Sequence, residues 1–204
     1  MIARPILMID VDGVIVHGPP GGWAANLEAD LGVARATLDA HFFRPHWRDI
    51  ALGRAALRER LEPMLAEHAP GVSADALINY WFAKDAVLDV ALLEDLAKAR
   101  SQGWAMRLAT IQEHERAAYL WNDLGLRSRF DAIDYAADIG AMKSEPRFYR
   151  AVEIRTGRPP EGHLLIDDTA ANIEAARAAG WKAELWDGQH TMSELISALG
   201  IRFR

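Results

Sequence analysis

No cysteine occurs in the 204 residues, which removes at once a disulfide framework, a thiolate zinc site and a cysteine nucleophile. Dense runs of Lys or Arg are lacking too. The 29 acidic residues against 23 basic give a formal charge of −6, and no basic track exists to neutralise a row of nucleic-acid phosphates. Nucleic acid is therefore not an expected partner. Long apolar runs are also missing: the run at the N-terminus, Pro5 to Ile9, ends in Asp10 and is too short for a signal segment or a membrane span. No membrane association and a cytoplasmic location are expected. Internal repeats and low-complexity tracts are absent, and Ala-rich stretches such as Ala170 to Ala179 sit at helical spacing.

What is present is the balance of a packed globular chain, 50% hydrophobic and 25% charged. The length favours one domain, or a main domain carrying a modest insertion. Five apolar runs of four or five residues have the look of buried parallel strands: Ile6 to Ile9, Ala105 to Ala109, Ala132 to Tyr135, His163 to Ile166 and Lys182 to Trp186. Helical patterns over Val90 to Ser101, Glu113 to Leu124, Pro146 to Thr156 and Ala170 to Ala179 alternate with them. This alternation predicts an α/β fold built on a doubly wound parallel sheet.

The alternation breaks between Val16 and Leu88, where only amphipathic helical stretches occur: Trp23 to Leu31, Arg35 to Phe43, Arg54 to His68 and Ala74 to Phe82. The expected division is thus a core from 1–15 and 89–204, interrupted by a helical insertion over 16–88. Gly18-Pro19-Pro20-Gly21-Gly22 opens that insertion, and its two prolines lack the N–H donors a phosphate-cradling loop needs, so it reads as a linker. The stretch from His41 to Arg48 is rich in aromatic and basic residues. It has two readings, a receiver for a polar or anionic group and packing of the insertion's own core, and the burial habit of aromatics favours the second.

In open α/β sheets ligands bind at the carboxyl ends of strands. Here the first strand ends in Asp10-Val11-Asp12-Gly13, the second in Thr110 and the fourth in Asp167-Asp168, while Lys143 follows the third after a loop. A period of two puts Asp10 and Asp12 on one side of an extended segment, and Gly13 permits a sharp turn. Each feature alone has a plainer reading as a turn, a helix cap or a solvated charge. Four converging carboxylates, however, repel one another unless a cation offsets them. Magnesium suits such a site, because it takes a few carboxylates, keeps waters and accepts phosphate oxygens; neither Cys nor closely spaced His favours zinc.

At these residues the sequence resembles the haloacid dehalogenase superfamily, whose motifs run Asp-x-Asp-Gly, Ser/Thr, Lys and paired acids in that order. The resemblance spans about Ile6 to Trp186 and implies a Rossmann-like core, with the insertion as a helical cap. It further implies that Asp10 is the nucleophile and a metal ligand, and that Asp12 protonates the leaving group and then activates water. The main-chain carbonyl of Asp12 and the carboxylate of Asp168 would complete the Mg2+ ligands, with Asp167 direct or through water. Thr110, Lys143, Gly13 and the Ile111 amide would contact phosphate, and Asn172 would steady the metal shell. The sequence departs from the pattern at Ile111-Gln112, where many relatives carry Asn directly after the Ser/Thr.

The expected activity is Mg-dependent hydrolysis of a small phosphorylated metabolite through an aspartyl phosphate, with the Asp12 carboxyl raised above its ordinary pKa. The alternatives are a phosphomutase of the same fold or a lapsed phosphometabolite-binding protein. A 2-haloacid dehalogenase is the least favoured, since that branch lacks the second Asp.

Overall fold

The computed structural model describes residues 4–198; the outermost residues of the expected core, 1–3 and 199–204, lie outside the described residues. The first strand, β1 (Ile6–Ile9), leads to the short β2 (Val16–His17), which pairs antiparallel with β3 (Val87–Leu88). Four further strands follow: β4 (Met106–Thr110), β5 (Ile133–Tyr135), β6 (His163–Asp167) and β7 (Lys182–Leu185). With β1 they form one parallel sheet in the order β5-β4-β1-β6-β7. The chain order reverses beside β1, so the crevice at its carboxyl end is the topological switch point of the sheet.

Alternation in β1 decides which side chains meet which layer. Leu7 and Ile9 enter one hydrophobic cluster, with Leu93, Leu96 and Ile196. Ile6 and Met8 enter another, with Phe148, Tyr149 and Ile173. A strand covered on both faces has no reason to alternate with polar residues, which is why β1 reads as an unbroken apolar run.

Between β2 and β3 lie α1 (Leu27–Leu31), α2 (Arg35–Leu38), α3 (Arg44–Ala51), α4 (Leu57–His68) and α5 (Ala74–Lys84). They share a separate hydrophobic cluster that includes Leu27, Phe42, Leu61, Leu77 and Trp81. After β3 come α6 (Val90–Ser101), α7 (His114–Ala118), α8 (Ala136–Ile139), α9 (Pro146–Thr156), α10 (Ala170–Ala178) and α11 (Met192–Ala198). Several starts are capped as the sequence chemistry requires. Ser73 accepts from the Ala76 amide at 3.1 Å, Asp89 accepts from the Leu92 amide at 2.9 Å, and Pro146 fills the first turn of α9. Among the described residues no helix is long and apolar enough to cross a membrane.

The architecture follows the expected plan, with local differences. Thr110 and Asp167 are the last residues of their strands rather than the first beyond them. The expected helix over Glu113 to Leu124 is α7 followed by a wide π turn at Tyr119–Asp123, and the one over Arg35 to Phe43 is α2 followed by a π turn at Asp39–Phe43 that runs on into α3. A π turn inserts one residue into a helical repeat, which a period of 3.6 does not reveal. The β2–β3 ribbon is too short to leave a pattern, and α11 lies beyond the elements expected. In the His41 to Arg48 stretch Phe42 is buried, Phe43 and Trp47 pack against Trp81 at ring separations of 5.5 and 5.8 Å, and exposed Arg48 pairs with Glu145 at 3.2 Å.

Candidate active site

The site is built on the carboxyl ends of β1, β4 and β6. Beyond Ile9 the backbone continues extended through Asp10, whose amide donates to Ile166 of β6 at 2.9 Å. The chain then folds sharply: the Ile15 and Val16 amides both donate to the Val11 carbonyl, at 2.9 and 2.8 Å. Gly13 makes this turn possible on two counts. Its φ is +79°, and a Cβ there would lie 2.0 Å from Oδ2 of Asp168, so any side chain would displace the carboxylate.

A cleft of about 310 Å³ opens at this edge, lined by Asp10, Asp12, Gly13, Thr110, Ile111, Lys143, Asp168, Thr169 and Asn172. Every residue singled out from the sequence lines this cleft except Asp167, which lies beneath the floor with no exposed surface. Lys143 joins the two levels. Its Nζ is 2.7 Å from Asp10 Oδ1, 2.7 Å from Asp167 Oδ2 and 3.1 Å from the Ala109 carbonyl, and the residue is 1% exposed. All three ammonium hydrogens thus have acceptors.

Asp167 is saturated. Its Oδ1 accepts from the Thr169 amide at 2.9 Å and from Asn172 Nδ2 at 3.0 Å, and its Oδ2 accepts from Lys143 and from Asn172 at 3.2 Å. Exposed Asp168 has no such set; its Oδ1 accepts from the Thr169 hydroxyl at 3.2 Å. One carboxylate oxygen each from Asp10, Asp167 and Asp168 falls within 4.8 Å of the others. Asp12 is outside that trio.

The electrostatics show a cluster with more anions than cations. Burial pushes the Asp10 carboxyl up to about 7; Lys143 pulls it back, and the neighbouring Asp167 charge adds to the rise. Lys143 is raised as well, because Asp10 and Asp167 outweigh the burial that opposes its charge. Both groups hold protons more firmly than usual, as a pair of carboxylates sharing one ammonium must. A hard, oxygen-seeking cation would relieve this, and an all-oxygen donor set with no thiolate or imidazole fits magnesium.

Burial also raises the Asp12 carboxyl, against the pull of Arg116. Solvent reaches Asp12 from the cleft mouth, although protein atoms crowd its other sides, so water tempers that rise. Two neighbours of Asp12 are not among the candidate site residues read from the sequence, where Gln112 figures only in the departure at Ile111-Gln112. Gln112, 3% exposed, donates from Nε2 to Asp12 Oδ2 at 2.5 Å. Arg116, 2% exposed, donates to the main-chain carbonyls of Phe82, at 3.0 Å, and Asp85, and stacks over Phe82 and Tyr119. Gln112 has the parity of Thr110 in an extended segment, which was the signal available for it; Arg116 left none.

A family model for haloacid dehalogenase-like hydrolases matches residues 6–180, and the chain belongs to that family. Among curated relatives, a probable phosphatase, IndB, of Dickeya dadantii is 24% identical over 96% of this chain and 86% of its own length. A phosphoglycolate phosphatase of Mesorhizobium japonicum is 23% identical over 88% and 81%. Among solved structures, a haloacid dehalogenase family enzyme of Bacteroides thetaiotaomicron, in complex with magnesium and inorganic phosphate, superimposes with a TM-score of 0.79 at 17% identity, covering 95% of this chain and 99% of its own. A 2-haloacid dehalogenase of Pseudomonas syringae shares the fold at a TM-score of 0.66 and 17% identity, over 97% and 99%. The fold thus hosts more than one chemistry, and the site must choose between them.

Proposed function

We propose that this hydrolase cleaves a small phosphate monoester with magnesium, Asp10 serving as nucleophile and Asp12 as acid and base. The observation that carries the reading is the placement of Asp12, a second carboxyl in the same cleft, outside the three-acid cluster and with its pKa raised. A carboxyl in that position is suited to exchanging protons rather than to holding a metal.

Asp10, the Asp12 main-chain carbonyl and Asp168 would hold the ion. Asp167, with both oxygens already accepting two hydrogen bonds each, acts on the site through Lys143 and Asn172. When bound, magnesium supplies positive charge for the ionised Asp10 and for the phosphate oxygens. The Lys143 ammonium orients Asp10 and meets the phosphoryl group, with the Thr110 hydroxyl and the Ile111 and Gly13 amides as further donors. An Asp10 oxygen attacks phosphorus and the bond to the leaving oxygen breaks, while Asp12 gives that oxygen its proton. Asp12 then takes a proton from the water that hydrolyses the aspartyl phosphate, which divides one difficult displacement into two. Residues 16–88 act as a cap over a core from 1–15 and 89–204, the β2–β3 ribbon closing the neck between them.

The test is hydrolysis of 4-nitrophenyl phosphate with and without magnesium. Magnesium should stimulate it, and Asp10→Asn should lower turnover by at least about 1,000-fold, the scale for loss of a nucleophile. Unchanged turnover in a folded Asp10→Asn protein would sink the assignment.

A further inference from the structure

The sequence departs from the family pattern where a side-chain amide would follow Thr110, and the structure shows an amide arriving from one residue further on. Gln112 is almost wholly buried, so its amide must find partners within the protein. Nε2 lies 2.5 Å from Asp12 Oδ2 and 3.4 Å from Thr110 Oγ1. It therefore spans the two walls of the cleft, one from β1 and one from β4.

The Gln112 backbone is itself fixed. Its carbonyl accepts from the Ala137 amide at 3.1 Å. The next residue, Glu113, caps α7 by accepting from the Glu115 amide at 2.7 Å and from the Arg116 amide. One turn on, buried Arg116 ties α7 to the Phe82 and Asp85 carbonyls at the end of α5. Among the described residues no other hydrogen-bond donor reaches the Asp12 carboxylate. Without Gln112 this solvent-accessible side chain would be free to rotate away from the cleft.

We propose that Gln112 is a positioning residue for the reaction: its amide fixes the rotamer from which Asp12 exchanges a proton with the leaving group. Gln112 touches neither phosphate nor metal in this role, and its effect passes through Asp12. The inference rests on the reading of Asp12 as proton carrier, and the test separates the two.

The readout is the dependence of kcat/KM on the leaving group. Phenolate leaves poorly without a proton, whereas 4-nitrophenolate needs little help, so an enzyme with a misplaced acid loses far more on phenyl phosphate than on 4-nitrophenyl phosphate. Gln112→Met keeps length and bulk while removing both donors. Measured on the full chain with saturating magnesium, it should lower kcat/KM for phenyl phosphate at least about tenfold and for 4-nitrophenyl phosphate less than about threefold, the first being one power of ten in the barrier arithmetic. The ratio of the two rates within one preparation is independent of the fraction folded. Should Gln112→Met not fold, Gln112→Glu, which keeps the shape and exchanges the donor for a repelling carboxylate, should shift the ratio the same way.

Asp12→Asn serves as the reference. If Asp12→Asn shifts the ratio and the Gln112 variants do not, the inference fails and the Asp12 assignment stands. If Asp12→Asn leaves the ratio unchanged, the assignment fails and the inference with it. Equal losses on both substrates in a folded Gln112 variant also overturn it, since they would mark a merely structural residue.

Discussion

The carboxyl edge of the sheet and the helical segment between β2 and β3 are stabilised by opposite means. At the sheet edge, charges are buried: Lys143 is 1% exposed and Asp10 6%, and each is held by a partner distant in sequence. Lys143 reaches back to Asp10 on β1 and forward to Asp167 on β6. In the helical segment the interior is aliphatic and aromatic, as in the Trp23 and Trp81 rings stacked 5.2 Å apart, and its ion pairs stay at the surface. Buried charges of this kind are expensive unless every partner is in place. The sheet edge thus concentrates buried charge, whereas the helical segment buries apolar surface.

Breaking the buried pair gives the largest effect. Lys143→Met leaves two carboxylates facing each other without their ammonium, and stability without magnesium should fall by about 3–5 kcal/mol, the usual cost of orphaning a buried charge. Urea unfolding measures it, and saturating magnesium should recover part of the loss. No recovery would mean that the cation does not take up the same charge deficit.

Leu61→Ala probes the other region. Leu61 is 1% exposed inside the helical cluster, and its truncation should cost about 2–5 kcal/mol in urea unfolding. Magnesium affinity, measured calorimetrically, should change less than about twofold, because distant sites act independently. A large change in affinity would show that the two regions share their energetics.

The third probe is pH. With its folded pKa at about 7 against the ordinary 3.8, Asp10 binds its proton more tightly in the folded protein than in the unfolded chain. Its contribution to the metal-free protein's stability is fully present below about pH 4 and is lost as pH rises through about 7. Magnesium needs the ionised carboxylate, so the rise in Tm it produces should be larger at pH 8 than at pH 5. Thermal unfolding at the two pH values with and without the ion decides this, and an equal rise at both would remove Asp10 from the ligand set.

The smallest effect is expected at the surface between the regions. Arg48 and Glu145 form a 3.2 Å pair with Arg48 well exposed, and exposed pairs contribute about 0–1 kcal/mol. Arg48→Ala should lower stability by less than about 1 kcal/mol. A greater loss would make this contact a fastening between helical segment and core.

Much of the fold was legible in the sequence for simple reasons. A strand buried on both faces must be apolar throughout, so Ile6 to Ile9 and His163 to Ile166 declared themselves, and a sheet of such strands places its reactive residues at their ends. The β2–β3 ribbon was not legible, because two residues make no pattern, nor were the π turns, because the helical period hides a single added residue. At the site, the residues at the strand ends stood out by type and order. Those that act on them did not: Gln112 and Arg116 look like ordinary residues at the start of a helix until their neighbours are known.

The alternation of strand and helix, the break in it between Val16 and Leu88, and the order of Asp10, Asp12, Thr110, Lys143 and the Asp167-Asp168 pair can be read along the chain alone. All of these follow from local periodicity and side-chain chemistry. That Asp167 lies beneath the floor with its oxygens filled, that Asp12 stands apart from the three-acid cluster, and that a buried glutamine hydrogen-bonds it there emerges only in the folded chain. Those facts depend on distances between residues more than a hundred positions apart, set by strand order and packing, which no local pattern encodes.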